Sequence, residues 1–220
     1  MTPDLDATLR LLAELIAESP HNLVSGGDRP LVYERHIREC VELSAQLPIV
    51  AGSRWVDIGT GGGLPGLVLA ALHPQTTWTL VDSVQKKAAA VRDFAAILGL
   101  DNVTVLAGRA ENLAHDPVLR GSFDGAVSRA VAALPTLLEL LVGFVRPGGL
   151  LAAVKGPRWP EELAAAEPAI AALHVREERV CGLPGAERPS WVVMMRRDGA
   201  LRRTFPRRDG LPRTNPLGGS

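Results

Sequence analysis

Cysteine is scarce: 220 residues hold only Cys40 and Cys181, far apart in sequence, so no disulfide framework is expected. The five histidines (21, 36, 73, 115 and 174) show no ligand spacing, and no CxxC pair accompanies them, so no metal is expected. Net charge is zero, so overall charge announces no nucleic-acid partner. Nowhere do about 18 apolar residues run together, which leaves no transmembrane helix in prospect. The N-terminal MTPDLDATLR is acidic and lacks an apolar signal core, so a cytoplasmic protein with no membrane partner is expected. No repeat or coiled coil suggests assembly, and a monomer is expected. Lysine is rare too, with only Lys86, Lys87 and Lys155; positive charge is therefore mostly guanidinium, which suits planar phosphate contacts.

What is present is a one-domain core with additions at its ends: a helical extension over 1–50, a core over 51–197 and a basic tail over 198–220. Hydrophobic residues make up 46%, enough for a sizeable core. Leu5, Leu9, Leu12 and Ile16 mark one helix; Tyr33, Ile37, Val41 and Leu47 mark a second, stopped by Pro48. Strands then alternate with helices. Strands are expected over 54–58, 77–81, 103–107, 124–128 and 150–155, and helices over 64–73, 84–99, 131–145 and 160–172. This is the signature of βαβ units in a parallel sheet. The segments 174–181 and 190–196 have no helix between them and predict an antiparallel hairpin at a sheet edge. The whole is the outline of an α/β, Rossmann-like class I methyltransferase fold, with a mostly parallel seven-stranded sheet. In the tail, Arg196 to Arg213 contains seven arginines against Asp198 and Asp209. A solvated disordered tail and a phosphate-contacting one both fit that pattern.

The segment Trp55-Val56-Asp57-Ile58-Gly59-Thr60-Gly61-Gly62-Gly63-Leu64-Pro65-Gly66 carries the most chemistry. An apolar strand enters a glycine loop that opens a helix, so bare backbone can press against a ligand at a helix N-terminus. Gly61 to Gly66 matches the dinucleotide G-x-G-x-x-G, and the longer D-x-G-x-G-x-G matches the S-adenosylmethionine (SAM) version. A nicotinamide or flavin cofactor and a ligand-free tight turn are the rivals. The terminal hairpin, and the lack of room for a large second domain, favour SAM. Asp82 ends the next strand, where an acid can accept both ribose hydroxyl protons; it, or Ser83, can equally cap the following helix. Gly108-Arg109-Ala110-Glu111 follows the third strand, where this fold borders adenine. Arg129 closes the fourth, near the cofactor's methionine end and the acceptor.

These blocks together resemble the RsmG (GidB) family of small-subunit ribosomal RNA guanine-N7 methyltransferases. Further carriers are Asn22-Leu23, Glu34-Arg35-His36, Leu80-Val81-Asp82-Ser83 with Lys86-Lys87, Ser128-Arg129-Ala130, Lys155-Gly156, Phe205-Pro206-Arg207-Arg208-Asp209-Gly210-Leu211-Pro212 and Asn215-Pro216-Leu217. The resemblance runs from about residue 20 to 217. It implies a SAM site that includes Gly59, Leu64, Ala110, Glu111 and Arg129, with Asp82 as the second-strand acid. It also implies a cytoplasmic enzyme acting on a guanine in the decoding-region loop of 16S rRNA, in the small ribosomal subunit. Departures are Glu39-Cys40 where the family often has Asp-Ser, Gly62 in place of proline or alanine, and Leu211 in place of threonine.

The expected cofactor set is therefore Asp57, Gly59, Gly61, Gly63, Leu64, Asp82, Ala110, Glu111 and Arg129. Guanine N7 carries a lone pair and no proton, so no catalytic acid or base is assigned; Arg129 is expected to position the reactants. RNA contact is expected from Lys155, Arg207, Arg208 and Arg213 on phosphate. His36 is read as a helix histidine more often than a ligand contact, and Trp159 as a helix-packing residue that can alternatively stack on a base. The tail is expected to serve RNA and leave SAM affinity within a few-fold. A small-molecule or protein methyltransferase, and an RNA-binding module holding SAM structurally, are the alternatives.

Overall fold

The computed structural model describes residues 3–218. Helix α1 spans Pro3–Glu18 and buries Leu9, Leu12 and Ile16, the face its spacing announces. After a short 3-10 segment (Gly26–Leu31), one wide π turn over Tyr33–Ile37 leads into α2 (Arg38–Gln46). The core then runs β1 (Arg54–Ile58), α3 (Gly66–Leu72), β2 (Thr77–Asp82), α4 (Gln85–Ile97), β3 (Val103–Ala107), α5 (Ala110–Leu113), β4 (Phe123–Arg129), α6 (Leu134–Val142), β5 (Val145–Lys155), α7 (Trp159–Ala165), α8 (Glu167–Leu173), β6 (Val175–Gly182) and β7 (Trp191–Arg197). A last turn of helix, α9, covers Leu211–Thr214. No helix among the described residues is long and apolar enough to cross a membrane.

The seven strands form one sheet in the order β3-β2-β1-β4-β5-β7-β6. Strands β1 to β5 are parallel, and β7 runs antiparallel between β5 and β6, as the terminal hairpin pattern requires. Strand order reverses between β1 and β4, which makes their C-terminal ends the crevice where open α/β sheets bind ligands. The pleat divides the core into two layers. Trp55, Leu150, Ala152, Val192 and Met194 face α1 to α4; Val56, Leu151, Ala153, Val193 and Met195 face α6 and α8. Trp55 stacks on Trp78 with ring centroids 5.7 Å apart, and only Gly125 on β4 leaves space for the indole, since a Cβ there would strike it.

Three local readings change. The segment expected as one helix over 160–172 is two, because Pro168 opens a second helix after Ala166. Strand β5 starts five residues early, at Val145, past an irregularity in its pairing with β4. The segment after residue 198 is a docked arm. Phe205, Pro206 and Pro212 are buried, Arg120 Nη1 donates to the Phe205 carbonyl at 2.8 Å, and Thr136 Oγ1 donates to that of Pro212 at 2.9 Å.

Candidate functional site

The glycine loop is braced by two acids. The N–H groups of Gly59 and Thr60 both donate to the Val81 carbonyl, folding the loop back over β2. Asp57 Oδ2 accepts from Thr60 Oγ1 at 2.7 Å and from the Gly66 N–H at 2.9 Å. Asp82 Oδ2 accepts from Gly61 N–H at 2.9 Å, and its Oδ1 accepts from Val84 N–H at 2.8 Å. Gly59 has φ of 75°, open to glycine at little cost, and a Cβ would collide there with Val131 Cγ2.

Asp57, expected at the cofactor, is fully buried beneath the loop, is not among the residues lining the crevice, and braces the loop. Burial pushes its pKa up to about 6, against the hydrogen bonds from Thr60 and Gly66 that favour the anion. At Gly63 a Cβ would strike Leu67, so its bareness lets the loop sit on α3; it too is not among the residues lining the crevice. Gly59, Gly61, Leu64, Asp82 and Arg129 do line one crevice of about 340 Å³ above the loop. Ala110 and Glu111 line a narrower recess of about 120 Å³ beside it, which shares Gly59, Ser83 and Val131 with the crevice. Asp82 faces the crevice and fixes the turn at Val84 just before α4, but the helix itself carries no side-chain cap, so the expected capping by Asp82 or Ser83 is not found.

A larger cavity of about 500 Å³ opens on the other side of Arg129. Its wall includes Arg35, Arg188, Lys155, His36, Glu39 and Glu162. Arg129 Nη1 donates to Glu39 Oε2 at 2.8 Å and to His36 Nδ1 at 2.9 Å. A guanidinium only donates, so His36 Nδ1 is unprotonated and the ring carries its proton on Nε2. Burial, then the Arg129 charge, lower the His36 pKa and keep the ring neutral. Burial opposes the charge of Arg129, but Cys40, Glu39 and Asp57 outweigh it and raise its pKa. Ala130, next in the chain, holds a left-handed φ of 58°, a conformation rare for residues with a Cβ. It turns the chain where the crevice and the larger cavity meet; both are lined by Arg129, Ala130 and Val131.

The expected RNA contacts need revision. Arg207 forks onto Glu139, with Nε to Oε1 at 2.9 Å and Nη2 to Oε2 at 2.7 Å, while Glu139 is fully buried in α6. It anchors the arm and is taken from solvent. Arg213 lines the narrow recess beside the crevice. Lys155 is buried and held by the Ala132 carbonyl and Glu162, each at 2.6 Å. Arg208 alone of the four stands exposed and clear of the cofactor cavities. The arm also reaches the recess through Gly210 N–H, which donates to Glu111 Oε1 at 2.9 Å, and through Asp209, 2.7 Å from Arg109 Nε. The arm thus closes one side of this recess instead of standing apart from it.

Sequence reasoning missed Glu39, Glu162, Arg188 and Val131 as wall residues. Glu39 and Glu162 sit on helices, where a charged residue normally reads as solvated. Nothing local announces that the β6–β7 loop carries Arg188 back to Asp28, 3.1 Å away. Asp28 also takes Ser25 and Arg35, which hold its pKa down at about 2.

A family model described as rRNA small subunit methyltransferase G matches residues 5–190. Among curated relatives, a ribosomal RNA small subunit methyltransferase G of Deinococcus deserti is 48% identical over 166 residues, covering 74% of this chain and 67% of its own. One of the same name from Moorella thermoacetica is 36% identical over 198 residues, covering 89% and 82%. Among solved structures, a SAM-dependent methyltransferase from Aquifex aeolicus superposes with a TM-score of 0.57 at 19% identity, covering 76% of this chain and 93% of its own. That likeness concerns the fold.

Proposed function

The chain belongs to the rRNA small subunit methyltransferase G family, and we propose that it methylates N7 of a guanine in the decoding-region loop of 16S rRNA, with SAM as donor. The observation that carries this is the shared wall: one buried arginine separates a glycine-loop crevice from a second, cationic cavity large enough for a nucleoside.

The residues present suit SAM. The crevice has a bare-backbone floor at Gly59 and Gly61, and a carboxylate at Asp82 whose oxygens each keep a lone pair for ribose hydroxyls. The recess has the Ala110 and Glu111 N–H groups at the start of α5, which have no partner within a helix and suit an adenine edge. When bound, SAM supplies an electrophilic methyl on a sulfonium.

The chain's own part is positioning. Guanine N7 offers an in-plane lone pair and loses no proton, so none of the wall groups has to act as a base. Arg129, fixed by Glu39 and His36, holds the boundary between donor and acceptor. Val131 and Ala130 shape the passage, and the apolar layers beneath keep water from the reacting atoms. Four basic residues (Arg35, Arg129, Lys155, Arg188) against two carboxylates (Glu39, Glu162) leave the acceptor cavity cationic, as an RNA strand requires. Arg188 at the mouth, exposed Arg158 next to Gly156, and Arg208 are the proposed phosphate contacts. The cytoplasm, where this substrate is found, is the proposed setting.

The test is transfer of labelled methyl to small-subunit rRNA lacking the modification, with mass mapping of the product. A single 7-methylguanine in the decoding-region loop is expected. Transfer to no rRNA form, or to a different atom, overturns the proposal.

A further inference from the structure

The acceptor cavity carries an ion pair that methyl transfer itself does not need. Lys155 ends β5, Glu162 lies in the first turn of α7, and Lys155 Nζ is 2.6 Å from Glu162 Oε2. Their side chains are only 7% and 22% exposed, and both line the cavity. Each group is partly occupied in a definite way. Lys155 Nζ donates one of its three protons to the Ala132 carbonyl and stands as an ion-pair partner beside Glu162. Glu162 Oε2 accepts from the N–H of Leu134, the first residue of α6, at 2.8 Å and faces the Lys155 ammonium. Among the described residues nothing donates to Oε1. A spare N–H donor therefore stands beside a spare carboxylate acceptor, both fixed by backbone contacts.

Side by side, a donor and an acceptor complement guanine, whose O6 accepts where its neighbouring N1–H donates. Adenine presents the reverse order, a donor at position 6 and an acceptor at N1. We infer that Lys155 and Glu162 read the Watson–Crick edge of the acceptor guanine, Lys155 donating to O6 and Glu162 Oε1 accepting from N1–H. The inference deepens the guanine-N7 reading and rests on it. Gripping O6 and N1–H leaves N7, on the adjoining Hoogsteen edge, free for the methyl. Methylation puts positive charge on the base and makes N1–H a stronger donor, so the carboxylate binds the transition state more tightly than the substrate. Glu39, the other acid of the cavity, is paired with Arg129 at the shared wall and is less exposed.

Glu162→Gln tests this sharply. The Leu134 N–H and Lys155 both require an oxygen at the Oε2 place, so the amide nitrogen must take the Oε1 place. A donor then faces the N1–H donor. Against small-subunit rRNA, kcat/KM should fall about 10- to 100-fold, the scale of one good bidentate base contact. SAM affinity should hold, while the melting temperature should fall by a few degrees because the buried Lys155 charge keeps only neutral partners. Glu161→Gln removes the same charge from an exposed neighbour and should leave the rate unchanged. Wild-type kcat/KM in Glu162→Gln, or an equal loss in Glu161→Gln, overturns the inference. A second arm needs no variant. rRNA carrying inosine at the target keeps O6 and N1–H and should react within a few-fold of guanine, whereas 2-aminopurine lacks both and should lose at least tenfold. Equal rates on the two bases overturn base reading, and no transfer to guanine N7 by the wild type overturns the function itself.

Discussion

Arg207→Ala attacks the most concentrated charge contact in the molecule. Glu139 is completely buried in a helix otherwise uncharged from Leu134 to Val142, and it receives the Arg207 backbone N–H at 2.7 Å together with the guanidinium fork. Cutting the side chain leaves that carboxylate one backbone donor. Breaking a buried pair from one side costs about 3–5 kcal/mol, much of it the penalty of the stranded charge. At about 2–4 °C per kcal/mol for a chain of this size, the melting temperature should drop by roughly 6–20 °C. The arm has a route of escape by lifting from α6, which admits water to Glu139. Lifting takes Gly210 from Glu111 and Arg213 from the cofactor recess. SAM binding, measured by calorimetry, should then weaken by about tenfold, or 1.4 kcal/mol. Replacing both partners, Arg207→Met with Glu139→Leu, should recover much of the melting temperature because no charge is left buried. A single variant that melts within 2 °C of wild type and binds SAM unchanged would refute the anchoring argument.

Arg129→Lys should keep the fold but lose at least tenfold in methyl transfer, because an ammonium cannot span Glu39 and His36 as the guanidinium does; single-turnover assays read this directly. Gly59→Ala, with its Cβ driven against Val131 in a left-handed backbone, should cost about 1–2 kcal/mol in urea denaturation and abolish measurable SAM binding. Asp57 has a folded pKa pushed up to about 6 by burial, against 3.8 for an exposed aspartate, so the native state holds its proton longer. The stability this contributes is full below pH 3.8 and is lost as pH rises towards 6, by about 3 kcal/mol over the window. Asp57→Asn should remove that slope, and parallel wild-type and variant stability curves between pH 4 and 6.5 would dispose of the buried-acid account.

The sheet was legible because period-two and period-3.6 patterns record burial residue by residue. The glycine loop was legible because positive φ and close approach leave few choices besides glycine. Long-range partners were not. Arg207 reads as one more tail arginine until Glu139 is noticed: a carboxylate inside Leu-Pro-Thr-Leu-Leu-Glu-Leu-Leu-Val must be buried and so demands a cation from somewhere. That signal was present, but it does not name the partner. The partners of Lys155 were hidden similarly, for its carboxylate and carbonyl come from other turns of the chain. The bracing by Asp57 was hidden because a strand-end acid and a loop-bracing acid have the same sequence position and differ only in which way the side chain turns.

Arg129 touches both cavities, and this places a constraint on how their occupants bind. Any RNA that moves the guanidinium alters the fit of the donor behind it. Linkage then fixes the size of the reverse effect: if RNA tightens donor binding by some factor, the donor must tighten RNA binding by that same factor. On the proposed reading, the demethylated donor has its own coupling with RNA through the same arginine, measurable as the change each makes in the other's binding constant.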